Sequence, residues 1–189
     1  NQKSNSIGGL RTKNIYKSSE INKPLFTIIT VCLNSEKTIE ETILSVLNQT
    51  YDNIEYVIID GGSSDNTLNI IKKYENSLDL WISEKDDGIY NAINKALKVS
   101  SGDIIGTLNS GDIYTKNALA LVKKYFKNNI NFVFGTVEKK RLLSGFNEKK
   151  INWKFNIYPA HSSGFFISRF AQECVGLYDE QFKLHADYD

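Results

Sequence analysis

The sequence predicts an α/β fold, with a mostly parallel central sheet flanked by helices on both faces, and three observations support it. Short apolar runs rich in β-branched residues alternate with amphipathic helical stripes, as in strands buried on both faces and joined by crossover helices. Cap and turn residues punctuate the alternation. Three of the runs end in polar clusters, Asn34-Ser35-Glu36, Asp60-Gly61-Gly62 and Asn109-Ser110-Gly111-Asp112, and open parallel sheets hold ligands outside the carboxyl ends of their strands.

Taken in order, residues 1–24 are polar and aperiodic and read as a tail or surface-hugging arm, with order starting after Pro24. Residues 25–189 then form one domain. Phe26 to Leu33 is the first buried strand. Thr38 and Glu41 form a possible capping box for a helix whose inner face is Ile39, Ile43, Val46 and Leu47. Ile54 to Ile59 is the second strand, and Asp65 is placed to cap a helix facing inward through Leu68, Ile71 and Tyr74. Leu78 to Ile82 and Asp103 to Leu108 are further strands, separated by the stripe Ile89, Ala92, Ile93, Ala96 and Leu97. Thr115 is a candidate cap for a helix facing inward through Ala118, Leu121, Val122 and Tyr125. After Phe132-Val133-Phe134 the pattern loosens, with a basic loop or hairpin from Lys139 to Lys150 and a helix from Phe170 to Val175.

Composition narrows the function. The formal net charge of +1 argues against a broad nucleic-acid footprint. No apolar run approaches the length of a membrane span, and the N-terminus lacks an apolar signal region, so a cytoplasmic location is the expectation. Cys32 and Cys174 have neither metal-ligand nor disulfide-framework spacing. The sequence contains no methionine and stops at Ala186-Asp187-Tyr188-Asp189 without a helix stop, so both ends are expected to be trimmed. There is no phosphate-cradling Gly-x-x-x-x-Gly-Lys loop and no Gly-x-Gly-x-x-Gly after the first strand. Asp60, Asp86 and Asp112 would repel a diphosphate ligand unless a divalent cation, Mg2+ or Mn2+, took carboxylate and phosphate oxygens together.

Several ordered motifs carry a resemblance. Thr27 to Asn34, Gln49-Thr50-Tyr51, Ile58 to Thr67, Ser83 to Lys95, Gly102 to Asp112, His161 and Ala186 to Asp189 together resemble family 2 glycosyltransferases of the GT-A (Rossmann-like) fold. The likeness covers nearly everything after Pro24. It implies an inverting transfer of a sugar from a nucleoside-diphosphate donor to a hydroxyl acceptor, a glycan or lipid-linked molecule, in cell-surface polysaccharide or lipopolysaccharide synthesis. The backbone around Thr30 and Val31, with Asn34 and Asp60, would hold the nucleobase and ribose. Asp86 and Lys95 would lie beside the nucleoside and diphosphate, and Asn109 belongs to the same donor-binding set. Asp112 matches the last aspartate of the family's metal-binding element, with Gly111 where a second aspartate usually stands. Asp187 matches the catalytic base, Asp189 being a nearby rival, and His161 falls near the donor or acceptor sugar.

Each residue also has a plainer reading. Asp60 and Asp112 can cap turns, Asp187 can cap a helix, Lys95 can be a solvated helix lysine and His161 a structural histidine. Lys139, Lys140, Arg141, Lys149 and Lys150 are either a solvated loop or a contact with anionic lipid or a lipid-linked acceptor. Two other functions remain open: a nucleotidyltransferase, which would want glycines after the first strand, and a non-catalytic nucleotide-sugar or glycan-binding module.

Overall fold

The computed structural model describes residues 5–127, 130–138, 142–143 and 162–181. A short strand β1 (Ser6–Gly8) and a 3-10 turn (Leu10–Lys13) precede the alternating part. That part runs β2 (Phe26–Cys32), α1 (Ile39–Leu47), β3 (Ile54–Asp60), α2 (Thr67–Lys73), β4 (Leu80–Ser83), α3 (Ile89–Val99), β5 (Ile104–Thr107) and α4 (Ala118–Tyr125). β6 (Phe132–Phe134), a small pair β7 (Val137–Glu138) and β8 (Leu142–Leu143), β9 (Phe165–Ser168) and α5 (Arg169–Val175) follow.

The main sheet has seven strands in the order β1-β4-β3-β2-β5-β9-β6. β2, β3, β4 and β5 are mutually parallel, while β1 and β9 run antiparallel to their neighbours. From β2 the sheet grows outward through β3 to β4, then resumes on the other side of β2 with β5. That reversal opens a crevice at the carboxyl ends of β2 and β5.

The period-two geometry of a strand explains the continuous apolar runs. Phe26, Ile28 and Cys32 pack with Ile39, Ile43 and Val46 of α1, Ile70 and Ile71 of α2, and Leu119 and Val122 of α4. Their neighbours Ile29 and Val31 pack with Ala92, Ile93 and Ala96 of α3 and Ala171 of α5. Helices therefore cover both faces, as expected.

The N-terminal arm is more structured than its polar sequence suggests. Order begins well before Pro24: Ser6–Gly8 adds an antiparallel edge strand to β4, and Gly8 lies so close to Trp81 that a Cβ would sit 2.5 Å from the indole. The arm also supplies cations to two buried carboxylates near the amino ends of the parallel strands. Arg11 pairs with Glu55, and Lys17 pairs with Asp79 at 2.8 Å. A polar stretch without periodicity can still be ordered when its charges neutralise buried partners.

Local details also depart from expectation. Thr38 precedes α1, but its side chain caps no helix N–H and bonds Ser110 Oγ and Ser35 O instead. Asp65 does accept from Thr67 N at 3.0 Å, although Asn66 occupies the cap position of α2. In α2, Ile70 and Ile71 are buried while Leu68 and Tyr74 are only partly so. Asn117, not Thr115, precedes α4, whose buried residues are Leu119 and Val122; Leu121 and Tyr125 face solvent. Ile89 is likewise exposed, and Tyr90 takes its place in the core. The stripe was misphased wherever apolar residues lie on both sides of a short helix, because periodicity alone cannot choose between them.

Candidate functional site

Three polar loops meet at the carboxyl edge of the parallel strands. Asp60 ends β3 in register with Cys32 of β2. On the other side of β2, Ser110 N donates to Val31 O at 3.3 Å. The Asp60 loop and the Asn109–Asp112 loop thus flank the end of one strand, two strand spacings or roughly 10 Å apart. The rim inferred from sequence exists.

The two acidic residues serve it differently. Asp60 is 1% exposed. Its carboxylate accepts from Ser63 N at 3.2 Å, from Ser63 Oγ, and from Ser83 Oγ at 2.6 Å. This set ties the ends of β3 and β4 to the Gly61–Ser63 turn, so the Asp60 carboxylate is turned into its own loop. Burial raises the pKa of the neighbouring Cys32 thiol well above its ordinary value, and Asp60 adds to the shift. Cys32 is a core residue, as its strand position implies.

Asn34 sits in the left-handed region at φ 48, where asparagine is tolerated. Its Oδ1 accepts from Ser64 N at 2.8 Å and Ser64 Oγ at 3.1 Å, and its own N–H donates to Ser63 Oγ at 2.7 Å. Asn34 is exposed, and its Nδ2 has no protein acceptor among the described residues. Asp86 presses against the same turn: a Cβ on Gly61 would meet Asp86 Oδ2 at 2.5 Å. Gly88 N donates to Asp86 Oδ1 at 3.1 Å.

Across the crevice, Thr42 of α1 fixes the β5 loop. Its hydroxyl accepts from Gly111 N at 3.0 Å and donates to Asp112 O at 2.9 Å. Gly111 adopts φ +99, a conformation that side chains with a Cβ rarely take. The glycine at this position thus has a backbone reason. Ser163 Oγ donates to Asp112 Oδ2. Asn109 Oδ1 is buried and has no hydrogen-bond partner among the described residues, and such an atom is costly unless a ligand or water supplies a donor.

Other sequence candidates lie elsewhere or are already engaged. Thr30 is fully buried, its hydroxyl bonding Leu108 O at 2.8 Å and Tyr56 OH at 3.0 Å, so its side chain does not reach the rim. Val31 packs in the α3 core and presents only backbone, with its carbonyl already accepting from Ser110. Lys95 is ion-paired with Glu84 at 2.6 Å rather than standing free for phosphate. His161, Asp187 and Asp189 lie outside the described residues, as do Lys139, Lys140, Arg141, Lys149 and Lys150. The residues missed from sequence are Thr42, Ser63, Ser83 and Ser163. Small hydroxyl residues carry no periodic signal, and only their contacts reveal them.

A divalent cation fits this rim only with help from its ligand. Among the described residues no group of three His, Cys, Asp or Glu side chains is placed to hold a metal. Asp112 offers a carboxylate, which also accepts from Ser163 Oγ. One or two such oxygens, completed by phosphate and water, suit Mg2+.

Comparison with known proteins shows the fold and the family. The family model described as glycosyl transferase family 2 matches residues 27–180. UDP-Glc:alpha-D-GlcNAc-diphosphoundecaprenol beta-1,3-glucosyltransferase WfgD of Escherichia coli is 40% identical over 116 residues, 60% of this chain and 46% of that protein. The chain spans about half the length, or less, of the curated relatives it matches. Among solved structures, TarS (residues 1–349) of S. aureus superposes with a TM-score of 0.72 at 20% identity, over 86% of this chain and 52% of that one. The mannosyltransferase PcManGT of Pyrobaculum calidifontis, solved with GDP-Man and Mn2+, gives 0.67 at 19% identity, over 84% and 48%. These likenesses show the GT-A fold, and the family match over residues 27–180 shows that the chain belongs to glycosyl transferase family 2.

Proposed function

We propose that the protein transfers a sugar from a nucleoside-diphosphate donor to a hydroxyl of a lipid-linked or glycan acceptor, with inversion, in cell-surface polysaccharide synthesis on the cytoplasmic side of a membrane. The observation that carries this reading is the shared rim, where the Asp60 turn and the Asn109–Asp112 loop flank the end of β2. On one side of the crevice, Asn34 Nδ2, Asp86 and the backbone following Val31 receive the nucleoside, and Asp60 keeps their turn in shape through Ser63 and Ser83. On the other side, Asn109 Oδ1 accepts a donor hydroxyl, which removes its cost of standing unpaired.

Asp112 would hold a divalent cation together with the diphosphate, and the cation's chemistry is to offset charge on the departing nucleoside diphosphate. Lys95, neutralised by Glu84, leaves that task to the Asp112 side. Asp187 takes the proton from the acceptor hydroxyl as its oxygen bonds to the anomeric carbon. The bond from that carbon to the diphosphate oxygen breaks on the opposite face, and the electron pair leaves with the nucleoside diphosphate. A single displacement of this kind inverts configuration. His161 is assigned to the sugar side of the site by resemblance.

The test is a thermal-unfolding panel of uridine, guanosine and thymidine diphosphate sugars, each with and without Mn2+, followed by transfer assays with and without acceptor. The right donor stabilises the fold by about 2.7 kcal/mol at a hundredfold excess over Kd. Silence across the whole panel would refute the reading, and binding without transfer would favour a non-catalytic module.

A further inference from the structure

The site description leaves unexplained the outward face of α4 and the segments beside it. From Ile113 to Val137 the sequence carries four lysines, Lys116, Lys123, Lys124 and Lys127, and no acidic residue. Leu121 and Tyr125, one turn apart on the helix, are 49% and 65% exposed, and Ile113, immediately after Asp112, is 63% exposed. Ile130 and Phe132, at the far end of the same stretch, are also exposed. α4 therefore has two apolar faces: Leu119 and Val122 serve the core, while Leu121 and Tyr125 point away from it among lysines.

Single exposed apolar residues need no explanation. Here they recur among charges of one sign, on a segment that starts at the rim. The element alongside meets this stretch through uncharged groups: Thr50 N donates to Lys116 O, Gln49 bonds Thr115 and Leu119, and Tyr114 N donates to Ser45 Oγ, with the exposed Glu41 of α1 one residue before the Thr42 that bonds the Gly111–Asp112 backbone. The next carboxylate along that turn, Asp52, is paired with Lys23 at 2.8 Å.

We propose that this face, Ile113, Leu121 and Tyr125 with Lys116, Lys124 and Lys127, docks the protein on an anionic lipid bilayer. Exposed apolar side chains enter the headgroup boundary, and the lysines meet the negative surface potential. Tyrosine suits that boundary because its ring is apolar and its hydroxyl stays wet. No helix among the described residues is long and apolar enough to cross a membrane, so the contact is interfacial. Because Ile113 follows Asp112, docking sets the rim beside the bilayer, where a lipid-linked hydroxyl would arrive. The inference deepens the proposed acceptor class, yet its assay does not depend on transfer.

The experiment is co-sedimentation of the chain with vesicles of phosphatidylcholine alone or with one-third phosphatidylglycerol, at low and high salt. Binding is expected only with the anionic vesicles and should weaken with salt. Replacing Lys116, Lys124 and Lys127 with Gln should lower partition on the order of 100-fold, each lysine near the surface contributing severalfold. L121Q/Y125Q should lower it even in low salt. Both variants change exposed side chains, so their unfolding temperatures should match the parent's and exclude misfolding. Equal binding to neutral vesicles, no loss in either variant, or a dimer of the parent chain that L121Q/Y125Q dissociates would overturn the proposal. If vesicle binding fails while donor sugars still stabilise the fold, only the docking surface is lost.

Discussion

Arg11 offers the sharpest test of how the arm is joined to the domain. Its side chain is 13% exposed and its partner Glu55 only 2%. The guanidinium bonds the Glu55 carboxylate, Val99 O and, at 3.2 Å, Ser101 Oγ, and burial lowers its pKa from the ordinary arginine value. Arg11→Ala leaves Glu55 buried with donors from Thr27 Oγ1 at 2.6 Å, Ser101 N at 2.7 Å and Ser101 Oγ, but without its counter-charge. Breaking a buried pair by removing one partner costs about 3–5 kcal/mol, and the surviving donors place this case near about 3. Against a total stability of about 5–15 kcal/mol that is a large loss. For a chain of this size it lowers Tm by about 6–12 °C.

The assay is urea and thermal unfolding followed by circular dichroism, with Arg11→Ala, Glu55→Gln and the double variant compared in a cycle. Glu55→Gln in the Arg11→Ala background removes the stranded charge, so it should recover part of the loss. The reasoning fails if Arg11→Ala costs under about 1 kcal/mol, the range of an exposed pair, or if Glu55→Gln makes it worse.

Other outcomes follow from the rim. In Gly61→Ala the new methyl meets Asp86 Oδ2, the movable end of a side chain. Stability should therefore change little, while donor affinity by calorimetry falls on the order of tenfold, about one hydrogen bond; unchanged affinity would take Asp86 out of the site. Asp187→Asn should lower turnover by about 10²–10⁴-fold with nucleotide affinity nearly constant, and near-normal turnover would pass the role to Asp189. Asp112→Asn should weaken Mn2+ and donor binding together, measured by titration; loss of neither would remove the cation from that position. Hydrogen bonds from Asn94 and Asn91 hold the Glu180 carboxyl below the usual glutamate range. The contribution of Glu180 is thus present above that range and fades as pH falls through the lower folded pKa. The stability gap between parent and Glu180→Gln should close in acid, and a gap that widened there would contradict the assignment.

The sequence alone determined the alternating architecture, because strands buried on both faces must be apolar along their whole length and their crossover helices must be striped. It also located the rim, since Asn34, Asp60 and Asp112 follow apolar runs whose direction is fixed by parallel pairing. It could not show how those residues are used. Asp60 spends its carboxylate on Ser63 and Ser83, 3 and 23 residues away, and Lys95 is bound to Glu84. It also missed the edge strand at Ser6–Gly8 and the Arg11–Glu55 pair, which spans 44 residues. Such contacts depend on where distant segments come to lie, and hydrogen bonds between small polar side chains leave no period in the chain. The burial pattern is written locally, whereas the partner of each polar group is decided only when the sheet assembles.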